Sequence, residues 1–283
     1  MTGSRTVAAF SVFSFKEAIR TKWLVVFTAI YFLVLVNVPF LILIADRLLP
    51  ASTLNSYIVY LGSVSYPFLP LLSLPLGALS IVEEKESGTL QYLLCTRLTR
   101  MEFLLGRYLG MLAATSLVVV GGFALAGLVV LNVDASIFSG LGFEAGLALV
   151  LNLIMLSLAV VISMLSKRKV TALSIAIFAW FLFVLLSDFG VSFGLIVTLP
   201  NGAFAEVLAA LINPVESVAL ISEISLNAYG PQLGPTTEIL KNYLGGPTAG
   251  AHLALTLMGC SLLAWAVLAL GMMVLLFRSI DVV

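Results

Sequence analysis

The chain has 283 residues, of which 61% are hydrophobic and 10% charged, and its mean hydropathy is +1.16. A soluble globular protein needs far more polar surface, so this composition indicates an integral membrane protein. The 14 basic and 14 acidic residues cancel to a net charge of zero, which argues against nucleic acid as a partner because phosphate binding needs a basic face.

Residues 1–22 predict a helix that lies at the membrane surface. Charged residues alternate there with large apolar ones, namely Arg5, Lys16, Glu17, Arg20 and Lys22 among Phe10, Val12, Phe13, Phe15 and Ile19. Charges run through the whole stretch without a small-residue cleavage site, so we expect no cleaved signal peptide.

Six apolar stretches follow, and each is long enough to cross a bilayer of about 30 Å. They are residues 23–45, 61–82, 103–133, 143–165, 170–187 and 251–277. Three prolines, Pro67, Pro70 and Pro75, fall in the second stretch and predict a helix that is kinked or starts late. The expected fold is therefore an all-α integral membrane protein with six spans.

Residues 188–250 have a different composition, with several acids and many Gly, Pro and Asn breakers. Asn213-Pro214-Val215-Glu216 predicts a helix start, with Asn as the cap, Pro at the first helical position and Glu in the first turn. Residues 203–212 suggest another short helix before it. We expect outer-face helices here, lying on the surface or re-entering the membrane.

The distribution of basic residues predicts the orientation. With six spans, all of the Lys and Arg residues except Arg47 and Lys241 lie on the side of the termini. Because cytoplasmic loops carry the excess of Lys and Arg, both termini are expected to be cytoplasmic.

Residues 83–102 form the longest charged interruption of the apolar sequence. The second span runs without a breaker into Glu83-Glu84-Lys85-Glu86, and Ser87-Gly88 then predicts its end, since Gly accepts the left-handed conformation. Thr89 can cap a short amphipathic helix. Thr99 and Glu102 form a capping box at the start of the third span.

Three segments carry a family resemblance: EEKESGTL at 83–90, LLCTRLTR at 93–100 and FLLGRYLG at 103–110. Their spacing is similar to the pattern E-x-E-x-G-T-x-x-x-L-L-x-T-x-x-x-R-x-x-x-x-x-G-K of ABC-2 type transporter permeases. The chain departs from it at Arg107, where Lys is usual, and at Cys95, where a small residue often stands. Within the family it most resembles the permeases of nitrous-oxide-reductase maturation systems, which share an N-P element like Asn213-Pro214.

The resemblance implies a non-catalytic permease in the cytoplasmic membrane of a prokaryote. It would form a homodimer on two copies of a separate ABC ATPase, which binds the ATP and Mg, and this chain would bind no cofactor. The permease would export a substrate or signal to an extracytoplasmic partner protein. The residues expected to contact the ATPase are Glu83, Glu84, Lys85, Glu86, Ser87, Gly88, Thr89, Leu90, Arg97 and Arg100, with Lys167, Arg168 and Lys169 as a second cytoplasmic contact.

Two other classes of protein remain as alternatives. A secondary transporter would need ionisable groups at mid-membrane, and an intramembrane protease would need a buried Asp pair or a Ser-His pair. Asp188 and His252 are the candidates, and both are expected at the outer edge, where neither predicts a metal or catalytic site. No phosphate-loop motif occurs in the chain.

Small residues spaced by four could bring helices close together, within the chain or between two copies. Such pairs occur at Gly106/Gly110, Gly142/Gly146 and Gly190/Gly194.

Overall fold

The computed structural model describes residues 3–48, 54–89, 99–130, 137–192, 202–226, 237, 243–246 and 248–279. Its elements are helices: α1 Gly3–Arg20, α2 Lys22–Leu48, α3 Leu54–Glu86, α4 Arg100–Val130, α5 Ile137–Leu165, α6 Lys169–Ser192, α7 Gly202–Ile212, α8 Pro214–Ser225 and α9 Ala249–Ser279.

The predicted spans correspond to α2, α3, α4, α5, α6 and α9. Among the described residues, α3, α4, α5 and α9 are long and apolar enough to cross a membrane, and the pair α1 and α2 makes a fifth if it counts as one span. The corresponding stretch of α6, Lys169–Val184, is shorter. Four or five such helices among the described residues are consistent with an integral membrane protein, and the number six stays a prediction.

The first helix lies across the start of the second one. The axes of Arg5–Arg20 and Lys22–Val38 differ by 67°. Along its length α1 packs on α4, where the ring of Phe10 lies 5.3 Å from that of Phe103. This bend agrees with a helix at the membrane surface that leads into a span.

The second span is one continuous helix, so of the two outcomes that its prolines predicted, a kink or a late start, the late start was wrong and the kink stays a prediction. α3 begins at Leu54 and contains Pro67, Pro70 and Pro75. A proline at position 75 cannot donate to the carbonyl of Leu71 four residues earlier. The indole N–H of Trp23 in α2 donates to that carbonyl at 3.4 Å. A neighbouring helix thus satisfies a backbone group that the proline released, which is how membrane helices tolerate proline.

α3 is the central helix of the core and packs most closely against α5. A Cβ atom at Gly77 would lie only 2.5 Å from the Cβ of Ala159 in α5, so the two backbones approach to a distance that only Gly permits. Ser163 of α5 accepts hydrogen bonds at 2.9 Å from the backbone N–H groups of Ile81 and Val82. The two helices are therefore held together by packing and by buried hydrogen bonds.

α7 and α8 are inserted between the longer helices. The predicted cap of α8 is confirmed: the side chain of Asn213 accepts from the N–H of Val215 at 3.0 Å, and Pro214 occupies the first turn. The Asn213 amide also donates to the carbonyl of Phe183 in α6 at 2.7 Å, and Ser261 of α9 donates to the carbonyl of Leu211. Most of α8 is buried against the other helices, and whether it lies at the membrane surface or re-enters the membrane stays a prediction.

α6 extends beyond the predicted span. It ends at Ser192, so Asp188 lies within the helix and not just after its end. The side chain of Asp188 lies outside the described residues.

Candidate functional site

The charged segment begins as the last turn of α3. The helix continues past Val82 to Glu86, and Gly88 then adopts the left-handed conformation with φ of +75°. Ser87 donates to the carbonyl of Glu83 at 2.8 Å and lies 2.8 Å from the hydroxyl of Thr89. The predicted helix stop at Ser87 and Gly88 is thereby confirmed.

The segment ends in a capping box at the start of α4. The N–H of Thr99 donates to Oε2 of Glu102 at 2.9 Å, and the N–H of Glu102 donates to Oγ1 of Thr99 at 3.3 Å. Each residue satisfies a backbone donor that the helix start leaves open. The predicted short helix between the two turns, with Leu90 and Arg97, lies outside the described residues.

Glu83 and Glu86 bind the first residue of α6. The carboxylate of Glu83 pairs with the Lys169 ammonium at 2.8 Å, and Glu86 accepts from the backbone N–H of Lys169 at 2.8 Å. A carboxylate at a helix N-terminus is favourable because it faces the positive end of the helix dipole. The hydrogen bond that the Lys169 ammonium donates to Glu83 raises the pKa of Lys169. The two charged loops predicted to lie on the same face are thus in direct contact.

Glu84 belongs to an ionic cluster around a buried arginine. The guanidinium of Arg107, which is only 7% exposed, pairs with Glu17 of α1 and lies 3.4 Å from Oε1 of Glu84. It also donates to the carbonyl of Ser80 at 3.3 Å. Arg carries several donors in a fixed planar group, so it can bind three acceptors together where Lys presents a point charge. This cluster connects α1, α3 and α4.

Lys85 completes the set of contacts made by the charged run. Its ammonium donates to the carbonyl of Met164, near the last residue of α5. A cation is favourable at this position because the last carbonyls of a helix carry partial negative charge. All four charged residues from Glu83 to Glu86 therefore bind other helices of the same chain.

Most of the described residues that are predicted to contact the ATPase are exposed. Ser87, Gly88, Thr89 and Arg100 of the segment are exposed, and so are Lys167 and Arg168 between α5 and α6. Glu83 and Glu86 are exposed as well although they bind Lys169, whereas Glu84 and Lys85 are partly buried. We call this end of the helix bundle, where Glu86, Arg100 and Lys169 lie, the charged end.

The structure also contains an ionisable site that the sequence reasoning missed. Glu144 lies in α5 and is fully buried, and its carboxylate accepts from the hydroxyls of Tyr66 in α3 and Ser222 in α8. Glu144 falls near the start of the predicted span 143–165. That position was the available signal, because an acid within an apolar span is costly unless it is paired.

Comparison with known proteins agrees with this architecture. A family model described as ABC-2 family transporter protein matches residues 14–282. The chain is 31% identical over 214 residues to the probable ABC transporter permease protein NosY of Pseudomonas aeruginosa, covering 73% of this chain and 77% of that protein. It is 30% identical over 226 residues to the protein of the same name from Stutzerimonas stutzeri, covering 77% and 81%. The chain therefore belongs to the ABC-2 transporter family, as a multi-pass permease, the non-catalytic membrane subunit that works with a separate ATPase.

Proposed function

We propose that this permease couples ATP hydrolysis by its partner to motion of the membrane helices through residues 83–102, with residues 166–169 as a second contact. The observation that carries the proposal is the direct contact between the two loops, in which Glu83 and Glu86 both bind Lys169. A partner that pushes on either loop would displace the other as well.

The contacts of the charged run give the displacement a path into the membrane. Glu84 is tied through Arg107 to α1 and α4, Lys85 to the end of α5, and Glu83 to the start of α6. A movement of the last turn of α3 would therefore move four other helix ends. ATP and Mg belong to the partner in this mechanism, and the permease supplies two conformations whose balance the partner shifts.

We infer an assembly of two permease copies and two ATPase subunits in the cytoplasmic membrane of a prokaryote. The charged end and both termini would face the cytoplasm. The excess of Lys and Arg at this end supports the orientation. At the opposite end, α7 and α8 would transmit the motion to an exported substrate or to an extracytoplasmic partner protein.

A transporter that works without nucleotide is the alternative, and Glu144 is the residue that it would use. A proton-coupled or ion-coupled carrier needs such a buried ionisable group. In the structure, both oxygens of Glu144 accept hydrogen bonds from hydroxyls of the chain itself. This satisfied arrangement and the family membership favour the ATP-driven function.

The contact surface can be tested with charge reversal at exposed residues. Reversal at Glu84, Lys85 or Glu86 would break the helix contacts described above, so the charge reversals are placed at fully exposed positions, as Arg100→Glu and as the double variant Lys167→Glu/Arg168→Glu. We expect each to reduce co-purification of the ATPase by at least about tenfold, since like charge across an interface costs several kcal/mol. His252→Glu, an exposed change at the opposite end of the bundle, is the control.

Undiminished recovery of the ATPase with both variants would refute contact through this surface. Equal loss with His252→Glu would show that the effect is not specific to the charged end.

A further inference from the structure

A cavity of about 490 Å³ opens at the charged end, inside the bend between α1 and α2. Residues of α1, α2, α3 and α4 line it, so it lies where the surface helix turns into the membrane. Its volume is in the range of sites that hold small molecules. The residues proposed to contact the ATPase, with the exception of Glu83, do not line it.

The lining of the cavity carries one positive charge in excess, since its cations are Lys16, Arg20 and Arg107 and its carboxylates are Glu17 and Glu83. Both carboxylates are ion-paired, Glu17 with Arg107, which also lies beside Glu84, and Glu83 with Lys169. Lys16 and Arg20 also line it, and the ion pairs of the described residues include neither of them. These two side chains are exposed and stand four residues apart on one face of α1. The mouth of the cavity is therefore suited to an anion.

Two buried polar atoms in the lining have no hydrogen-bond partner. They are Oγ of Ser14, a residue that is 1% exposed, and Nε of Arg107. A buried polar atom without a partner costs about 1–3 kcal/mol, so such atoms usually bind a water molecule or a ligand. Both can donate a hydrogen bond, as an anion requires.

Apart from Thr21 and Ser80, the remaining walls are apolar. Phe13 and Trp23 lie on the side of the bend, and Leu76, Leu79 and Met111 lie on the side of the spans. The four residues from Leu79 to Leu76 represent about 5 Å of helix rising into the membrane. A cavity that is cationic at its mouth and apolar above fits a molecule with an anionic head and a hydrocarbon tail.

We propose that this cavity binds the phosphate headgroup of an anionic phospholipid from the leaflet at the charged end, with Lys16 and Arg20 at the phosphate and the first acyl carbons against Leu76 and Leu79. A soluble phosphate would leave the apolar wall unused. Basic residues near a membrane attract anionic lipids by about 1 kcal/mol each. The lipid would hold the α1–α2 bend to the membrane.

The test compares thermal unfolding of the purified permease in nanodiscs of phosphatidylcholine alone and with phosphatidylglycerol added. A ligand that binds only the folded state raises the Tm, and we expect a rise of about 3 °C or more for the wild type. Lys16→Gln/Arg20→Gln should lose most of this rise, while the matched control Lys167→Gln/Arg168→Gln should keep it. Leu79→Trp, which fills the apolar wall, should also lose it.

Three results would overturn the proposal. The first is a rise in Tm that is equal in the wild type, Lys16→Gln/Arg20→Gln and Leu79→Trp. The second is a loss of this rise in the control variant as large as in Lys16→Gln/Arg20→Gln, which would indicate a diffuse basic surface. The third is a full rise with inorganic phosphate in phosphatidylcholine discs, which would indicate a soluble anion. If Lys16→Gln/Arg20→Gln is already unstable in phosphatidylcholine, the rise in Tm of Leu79→Trp decides whether the lipid binds in the cavity. ATPase co-purification is a separate measurement, so failure here leaves the coupling proposal standing.

Discussion

Glu144 shows how a single buried acid can hold three helices together. It reaches from α5 to Tyr66 in α3 and Ser222 in α8, and each of these hydroxyls donates to a different carboxylate oxygen. Gly62 faces the same group, since a Cβ there would lie 2.3 Å from Oε2 of Glu144. The carboxylate therefore occupies space that a small residue leaves open and satisfies two hydroxyls that would otherwise be buried without a partner.

Removal of this acceptor should destabilise the protein. In Glu144→Leu both hydroxyls lose their partner, at a cost of about 1–3 kcal/mol for each group. Glu144→Gln keeps an acceptor oxygen in the same place, so it should lose less stability than Glu144→Leu. Thermal unfolding in one defined detergent measures the difference. A Leu variant as stable as the Gln variant would show that the hydroxyls find other partners.

For single residues, contacts close in sequence were predictable from the sequence, and contacts between residues far apart in sequence were not. Asn213, Gly88 and the pair Thr99 and Glu102 act on their own backbone within four residues, so type and spacing are enough to identify them. Glu144 is bonded to residues 78 positions away on either side. No local pattern contains that information. Arg107 was noticed only as a departure from a motif, and its contact with Glu17 spans 90 positions.

The helix pair α1 and α4 confirms close approach at one of the predicted glycine pairs. Gly106 and Gly110 were candidates for close approach within the chain or to a second copy, and the structure places α1 against both of them. A Cβ at Gly110 would lie 2.5 Å from the carbonyl oxygen of Ser11 and 2.6 Å from Cβ of Ser14. Gly142 and Gly146 of α5 show the opposite environment, with nothing within 4 Å of such an atom.

These environments predict opposite effects of one substitution. Gly110→Ala should lower stability, because α1 must move away from α4 to admit the methyl group. Gly146→Ala, the matched control, should be neutral or raise stability by about 0.5–1 kcal/mol, since Ala favours the helix. Thermal unfolding of both variants in detergent tests this. A Gly110→Ala variant with the wild-type Tm would contradict the close packing.

Hydropathy was enough to predict where the long helices lie. Whether a proline interrupts a helix, and how the short helices pack, depends on contacts with neighbouring helices. The apolar runs predicted the long helices because a membrane requires uninterrupted backbone hydrogen bonding. Three prolines in α3 predicted a kink or a late start, and the Trp23 indole bonded to the Leu71 carbonyl shows how a neighbouring helix supports one of them. α7 and α8 were expected at the outer face, and their insertion against Phe183 and Ser261 depends on contacts that composition does not encode.

Across the whole molecule, α3 connects the charged end with the buried acid. Its last turn holds Glu84 in the cluster with Arg107, and Tyr66 binds Glu144 eighteen residues earlier, about 27 Å away along the helix. Both ends are anchored by hydrogen bonds to charged groups, so a displacement of the last turn would be carried as a rigid movement towards α8. Under the proposed coupling, α3 would be the element that links the two sides of the membrane.

This role predicts that a change far from the ATPase alters its turnover. Tyr66→Phe removes the hydroxyl that anchors α3 to Glu144, and we expect ATP hydrolysis by the complex in nanodiscs to change by about two- to tenfold, with ATPase binding unchanged. Tyr108→Phe is the matched control, because Tyr108 is also buried and bonds Ser157 at 2.8 Å but joins α4 to α5. Equal turnover in wild type and Tyr66→Phe would show that motion bypasses α3. Equal changes of ATP hydrolysis in Tyr66→Phe and Tyr108→Phe would show that loosened packing causes the effect, since Tyr108→Phe leaves the bond between α3 and Glu144 intact.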